Sequence, residues 1–225
     1  MTFEEMLTHI DHTNLKPIAK FEDMERLCEE AMALHCASVC IPPSYVRKVD
    51  AKYGKSLNIC TVIGFPLGYS TTVAKVAETK RALDDGANEI DMVINIGDVK
   101  NGDFDRVSNE VNSIKKECLN KVLKVIIETC YLTDKEKIRL CQVVTEAGAE
   151  YIKTSTGFGS AGADLKDIAL FKENIGGAVK IKAAGGIRNL DSLKSFIEAG
   201  CDRVGCSSTM DIVQEMIKLK GPLHL

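Results

Sequence analysis

Hydrophobic positions along the chain fall into two alternating patterns. Short runs rich in β-branched and aliphatic residues stand at 36–42 (CASVCIP), 58–65 (NICTVIGF), 89–95 (EIDMVIN), 122–128 (VLKVIIE), 151–154 (YIKT), 178–184 (AVKIKAA) and 203–206 (RVGC). Runs this short between polar segments predict buried strands. Amphipathic stretches with helix punctuation lie between them. Thr133-Asp134-Lys135-Glu136 has capping-box spacing and opens a helix that closes before Gly148. Ser70-Thr71 opens one ending at Gly86, and Asn189 opens one ending at Gly200. Strand and helix alternate from end to end, which predicts a parallel sheet covered by helices.

A weak internal repeat sharpens this architecture. DGANEIDMVI, EAGAEYIKTS and EAGCDRVGCS share one frame, in which Gly86, Gly148 and Gly200 suit the left-handed position that ends a helix. Five residues beyond each glycine stand Asp91, Lys153 and Gly205, and HCASVC delivers Cys40 in the same frame. If each strand starts at one offset, these residues share a height and an orientation. Repeated βα units predict an α/β fold, a single (β/α)8 TIM barrel that forms one catalytic domain over 1–225. IDHTNL at 10–15 supplies the missing eighth strand and carries Asp11. The competing fold, an open doubly wound sheet, lacks its usual G-x-G-x-x-G after the first strand. Such barrels usually take ~250 residues, so this one has short loops.

Composition narrows the function classes. A hydrophobic fraction of 45% and a charged fraction of 27% are ordinary for a globular protein. A net charge of −3 with interspersed signs gives no footprint for nucleic acid or an acidic membrane surface. The opening MTFEEMLTHIDHT has acids where a signal peptide needs a basic start, and no apolar run is long enough to span a membrane. Nine cysteines, an odd number without a C-x-x-C pair, argue against a disulfide framework or a zinc site. Several of them, Cys40 and Cys60 included, sit in apolar runs where Cys behaves as a small hydrophobe. A reduced, cytoplasmic protein without metal or cofactor is expected. The histidines (His9, His12, His35, His224) have no ligand spacing and are expected to be structural.

Strand alternation assigns the inward side chains. Lys153 faces the axis because Ile152 faces the helices; Lys180 and Lys182 flank outward Ile181; Glu89 and Asp91 flank Ile90; Lys124 and Glu128 share a parity. A lone lysine at a strand end is usually a snorkelling side chain. Lys153 and Lys182 together are harder to explain that way, because two ammonium groups ~5 Å apart repel by about 3 kcal/mol at an effective dielectric of ~20. A cationic neighbour is a known route to a neutral amine nucleophile. Lys153 is therefore the expected nucleophile, Lys182 its charged neighbour and Asp91 a proton shuttle. Ala184-Gly185-Gly186 after the seventh strand and Gly205-Cys206-Ser207-Ser208 after the eighth fall where this barrel usually binds phosphate. The expected substrate is a small phosphorylated sugar.

EIDMVIN, LKVIIET, YIKTSTGF, KAAGGIR and RVGCSS, in this order and spacing, resemble the deoxyribose-phosphate aldolases over nearly the whole chain. The resemblance implies a metal-independent class I lyase that interconverts 2-deoxy-D-ribose 5-phosphate with acetaldehyde and D-glyceraldehyde 3-phosphate. By it Lys153 carries the Schiff base, and Asp91 and Lys182 exchange protons. Lys124, Asp11, Cys40 and Thr156 join the active-site network, while Gly185, Gly186, Gly205, Ser207 and Ser208 bind phosphate. Lys180 departs from the small or apolar residue of the family, and a third inward lysine calls for a partner, Glu89. The end Pro222-Leu223-His224-Leu225 lacks the tyrosine-bearing tail of some members, which leaves the final proton carrier open.

Two other readings compete: a phosphosugar isomerase or epimerase using Asp91 as base, and a non-catalytic phosphometabolite-binding barrel. GFPLGYS at 64–70 is either a pocket-shaping or a plain βα loop. Oligomeric state is not legible, and a homodimer is compatible with the sequence.

Overall fold

The computed structural model describes residues 1–220. The tail with Pro222, His224 and the question of the proton carrier lies outside them. Eight strands, β1 (Ile10–Thr13), β2 (Ser38–Ile41), β3 (Ile59–Ile63), β4 (Glu89–Val93), β5 (Val122–Ile126), β6 (Tyr151–Lys153), β7 (Lys180–Ala184) and β8 (Arg203–Cys206), close into a barrel in chain order. Every pair is parallel, and β8 returns to β1. Each expected strand is present, shortened where its flanks become turns. IDHTNL contributes only its first four residues. β8 covers Arg203–Cys206 as the RVGC run predicts, so Gly205 and Cys206 are in the strand and Ser207 and Ser208 alone follow it.

The helices are α1 (Phe3–Leu7), α2 (Phe21–Ala33), α3 (Val46–Tyr53), α4 (Thr72–Asp84), α5 (Ile96–Lys100), α6 (Phe104–Cys118), α7 (Asp134–Glu146), α8 (Leu165–Asn174), α9 (Leu190–Glu198) and α10 (Thr209–Lys220). Their ends follow the local chemistry. Thr133 and Glu136 form the capping box of α7, the Thr71 hydroxyl accepts from the Ala74 N–H at the start of α4, and Asn189 caps α9. Gly86, Gly148 and Gly200 close the three repeated units at φ of 109°, 67° and 106°.

The two faces of each strand bury different chemistry. Outward residues such as Ile90, Met92, Leu123, Val125, Ile152, Ile181 and Val204 pack on helix residues including Leu140, Ile168, Phe171 and Leu193. Each such aliphatic side chain contributes about 1.5–3 kcal/mol by leaving water. This shell of core lies between sheet and helices. Inside the barrel, Cys40, Cys60 and Val62 form a small apolar patch, and the rest of the filling is largely ionic.

Candidate active site

Register sets the interior. Lys153, Lys182 and Arg203 are Cα partners across β6, β7 and β8, and Asp91 pairs with Lys124 across β4 and β5. Their side chains converge on one carboxylate. Asp91 Oδ2 accepts from Lys153 Nζ and Lys182 Nζ, each at 2.7 Å, and Oδ1 accepts from Lys124 Nζ at 2.9 Å. Asp11 accepts from Lys182, from Ser38 Oγ at 2.7 Å and from Arg203. Glu89 accepts from Lys124 and from Arg203 Nη2, the latter at 3.2 Å.

Charges in so dry a place hold one another ionised. Burial works against the ionised carboxyl of Asp91, yet Lys124, Lys153 and Lys182 together keep it well below its ordinary range. Burial likewise opposes the charge on Lys182, and Asp11 with Asp91 overcomes it, so this ammonium stays protonated. Lys124 is held protonated in the same way, against burial, by Asp91, Asp11 and Glu89. Bare repulsion between Lys153 and Lys182 is therefore not what the site contains, because Asp91 Oδ2 bridges the two.

Lys153 differs from the other two lysines. Lys124 and Lys182 are fully buried, whereas Lys153 forms part of the wall of a cavity of about 360 Å³ at the carboxyl ends of the strands. Thr156, Gly185, Gly186, Gly205 and Ser207 line the same cavity. Asp11, Asp91, Lys124, Lys182 and Cys40 lie beneath it, and Ser208, the residue before α10, is not part of the lining. Gly185 and Gly186 have φ of 83° and 80°, which favours glycine at both. A Cβ on Gly185 would also stand 3.0 Å from Cα of Gly162, so a side chain there would press on the neighbouring main chain.

Two residues of the site escaped the sequence argument, and a third, Glu128, was misplaced by it. Arg203 grips Asp11 and Glu89 from β8, and its parity with inward Gly205 was the available signal. Cys60, expected only as a small hydrophobe, donates to Asp91 Oδ1 at 3.1 Å and accepts from Lys124 at 3.2 Å. Burial keeps its thiol protonated. Glu128 does not continue the inward row of β5. The strand ends at Ile126, Glu128 turns left-handed at φ 53°, and its buried carboxylate takes the Thr156 N–H at 3.1 Å and the Thr156 hydroxyl. Thr156 stands in the pocket wall, held by a partner the sequence did not indicate.

Two expectations are corrected. Lys180 does not pair with Glu89: it is exposed at the start of β7 with Nζ 5.9 Å from the Tyr151 ring centroid, and Lys124 and Arg203 take Glu89. His12 is structural in part only, since it meets Glu30 at 2.8 Å and also borders the cavity. GFPLGYS contributes Phe65, which stacks edge-to-face on Phe158 of the rim with centroids 5.4 Å apart.

Acidic and thiol groups converge in two sets, Cys40–Cys60–Asp91 and Asp11–Cys60–Glu89. Lys124 Nζ hydrogen-bonds Cys60, Glu89 and Asp91, so an ammonium already stands where these ligands would gather around a cation. The donor set fits a lysine rather than a metal.

Comparison with known proteins follows the same lines. Residues 5–212 match the model of the DeoC/LacD family aldolases. The chain is 57% identical over 214 residues to a deoxyribose-phosphate aldolase of Clostridium botulinum (strain Eklund 17B / Type B), covering 95% of this chain and 97% of that one. It is 53% identical over 209 residues to the deoxyribose-phosphate aldolase of Clostridioides difficile (strain 630), covering 93% and 95%. Among solved structures, the aldolase QR15 superposes with a TM-score of 0.90 at 39% identity, covering 95% of this chain and 96% of that one.

Proposed function

The chain belongs to the DeoC/LacD family of aldolases, and from that premise we propose that it cleaves 2-deoxy-D-ribose 5-phosphate through a Schiff base on Lys153. The observation that carries this assignment is the position of Lys153 Nζ. It rests on Asp91 at 2.7 Å and borders the cavity, while the two lysines beside it are sealed below. A nucleophile must reach both substrate and proton partner, and a lysine that lines the cavity while resting on Asp91 supports that role.

The amine of Lys153 adds to C1 of the open-chain sugar, and loss of water leaves a protonated imine. That cation withdraws electrons as the C2–C3 bond breaks. The proton of the C3 hydroxyl leaves, glyceraldehyde 3-phosphate departs, and the electron pair remains on C2 as an enamine. Protonation at C2 and hydrolysis of the imine release acetaldehyde and return the amine. Asp91 and Lys182, hydrogen-bonded to each other, are the pair proposed to carry these protons. Gly185, Gly186, Gly205 and Ser207 are proposed to hold the phosphate at the other side of the cavity, where glycine backbone N–H groups can approach an anion closely.

Borohydride added with acetaldehyde should reduce the imine to a stable adduct located on Lys153 by peptide mass. An isomerase, epimerase or simple binding barrel would take no adduct there. Activity is also expected to be unchanged after exhaustive EDTA treatment, because the imine replaces a Lewis acid. Loss of activity in EDTA with recovery on adding zinc would refute the imine mechanism.

A further inference from the structure

Arg203 has no place in the steps above, yet it closes the network from below. Its guanidinium binds Asp11 and Glu89 and lies 5.7 Å from the centroid of Tyr151. From it a continuous chain of hydrogen bonds runs Arg203–Asp11–Lys182–Asp91–Lys153. The register puts three of them abreast on successive strands, with Lys182 between Lys153 and Arg203. We propose that Arg203 is a positioning residue for the Lys153 amine: by holding Asp11 and Glu89 as a fixed cation, it leaves Asp91 as the carboxylate for which Lys153, Lys182 and Lys124 compete. The proposal rests on the assignment of Lys153 as the nucleophile.

The charge balance supports it. Four cationic side chains, Lys124, Lys153, Lys182 and Arg203, share three carboxylates, Asp11, Glu89 and Asp91. One positive charge is in excess. Arg203 does not surrender its proton, and burial, which opposes its charge, is outweighed by Asp11 and Glu89. Lys124 and Lys182 are sealed and doubly or triply held, whereas Lys153 meets one carboxylate among the described residues. Without Arg203 the balance would be even, three cations to three carboxylates.

Every strand contributes to the surroundings of this amine. Asp11 comes from β1, Cys40 from β2, Cys60 from β3, Glu89 and Asp91 from β4, Lys124 from β5, Tyr151 from β6 itself, Lys182 from β7 and Arg203 from β8. At the rim stand His12, Lys16, Asp23, Arg26, Glu30 and Arg188. Apart from buried His12, the rim groups are wetter and more strongly screened, whereas Arg203 acts through the buried carboxylates Asp11 and Glu89.

The test follows the rate of borohydride trapping with acetaldehyde, and kcat/KM for the sugar phosphate, as functions of pH. Two strand spacings put the Arg203 charge ~10 Å from the amine, which at an effective dielectric of ~20 moves a titration by about one pH unit. Arg203→Met removes a positive charge, so the rising limb should move up by about one unit, a roughly tenfold loss at a fixed pH below it. Glu89→Gln removes a negative charge and should move the limb down. Arg203→Lys keeps the charge and should leave the limb near its wild-type position.

Lost packing alone would lower the plateau without moving the limb. Should Arg203→Met fail to fold, the near-isosteric Glu89→Gln and the charge-preserving Arg203→Lys still decide the matter. A limb at the wild-type pH in Glu89→Gln, or in a folded Arg203→Met, overturns the proposal. If wild-type protein takes no adduct on Lys153, the Schiff-base assignment falls first and this proposal with it. Trapping at Lys153 with unmoved limbs sinks this proposal alone.

Discussion

Replacement of Asp91 by Asn should lower kcat by on the order of a thousandfold, a loss of about 4 kcal/mol in transition-state stabilisation. Three ammonium groups, from Lys124, Lys153 and Lys182, end on this one carboxylate. A carboxamide has a single acceptor oxygen, and its NH2 group would face one of the cations as a donor. Removing one partner of a buried ionic cluster costs about 3–5 kcal/mol because the others stay buried and uncompensated. The thermal midpoint should therefore fall together with kcat. Borohydride trapping on Lys153 should be slowed by a similar factor, since the amine loses its proton partner. Steady-state kinetics with a melting curve on the same preparation check both effects. Turnover within tenfold of wild type would show that Asp91 is not the hub of the chemistry.

Placing a carboxylate at Ser207 tests the other end of the cavity. Ser207 is exposed, follows β8 and lines the pocket beside Gly205, so Ser207→Asp should fold normally. Beside a phosphate dianion the new charge repels, and at ~5 Å and an effective dielectric of ~20 the effect is about 3 kcal/mol or more, on the order of a hundredfold in KM. Unphosphorylated 2-deoxyribose brings no charge to that end and should be little affected. Trapping with acetaldehyde alone should survive. The decisive quantity is the ratio of kcat/KM for the two sugars in wild type and variant. An unchanged ratio would move the phosphate elsewhere and leave the glycines as ordinary turn residues.

The sequence was most informative where two periodicities met. Alternation along a strand decided that Asp91, Lys153 and Lys182 face inward, and the glycine-framed repeat put Asp91, Lys153 and Gly205 near one height. Alternation does not say which inward neighbour a side chain reaches around a closed barrel. Hence Glu89 was paired with Lys180 from β7, whereas Arg203 from β8 and Lys124 from β5 take it. Lys180 enters β7 at the amino end, where water is available, and needs no carboxylate. Glu128 was illegible for another reason. Its parity matched Lys124 only if the strand ran on, and a left-handed residue two positions past Ile126 breaks that count. Cys60 shows the limit of composition: an apolar run describes the outer face of β3, while the thiol points the other way into the charges. Ser208 was grouped with Ser207 because both follow the strand, but the chain is already turning into α10 there.

The contact among Gly157, Gly162 and Gly185 bears on how the pocket can be altered. A Cβ on Gly162 would stand 2.2 Å from the carbonyl oxygen of Gly185, and one on Gly185 would stand 3.3 Å from Cα of Gly157. The loops after β6 and β7 thus meet main chain to main chain, with no side chain between them to change rotamer and absorb a shift. The joint behaves as a weld rather than a hinge. Libraries seeking new substrates gain nothing by diversifying it, because any enlargement there pries two strands apart. The adjustable part of the rim lies in side chains, in exposed Phe158 and partly exposed Leu15, which can be exchanged without moving backbone.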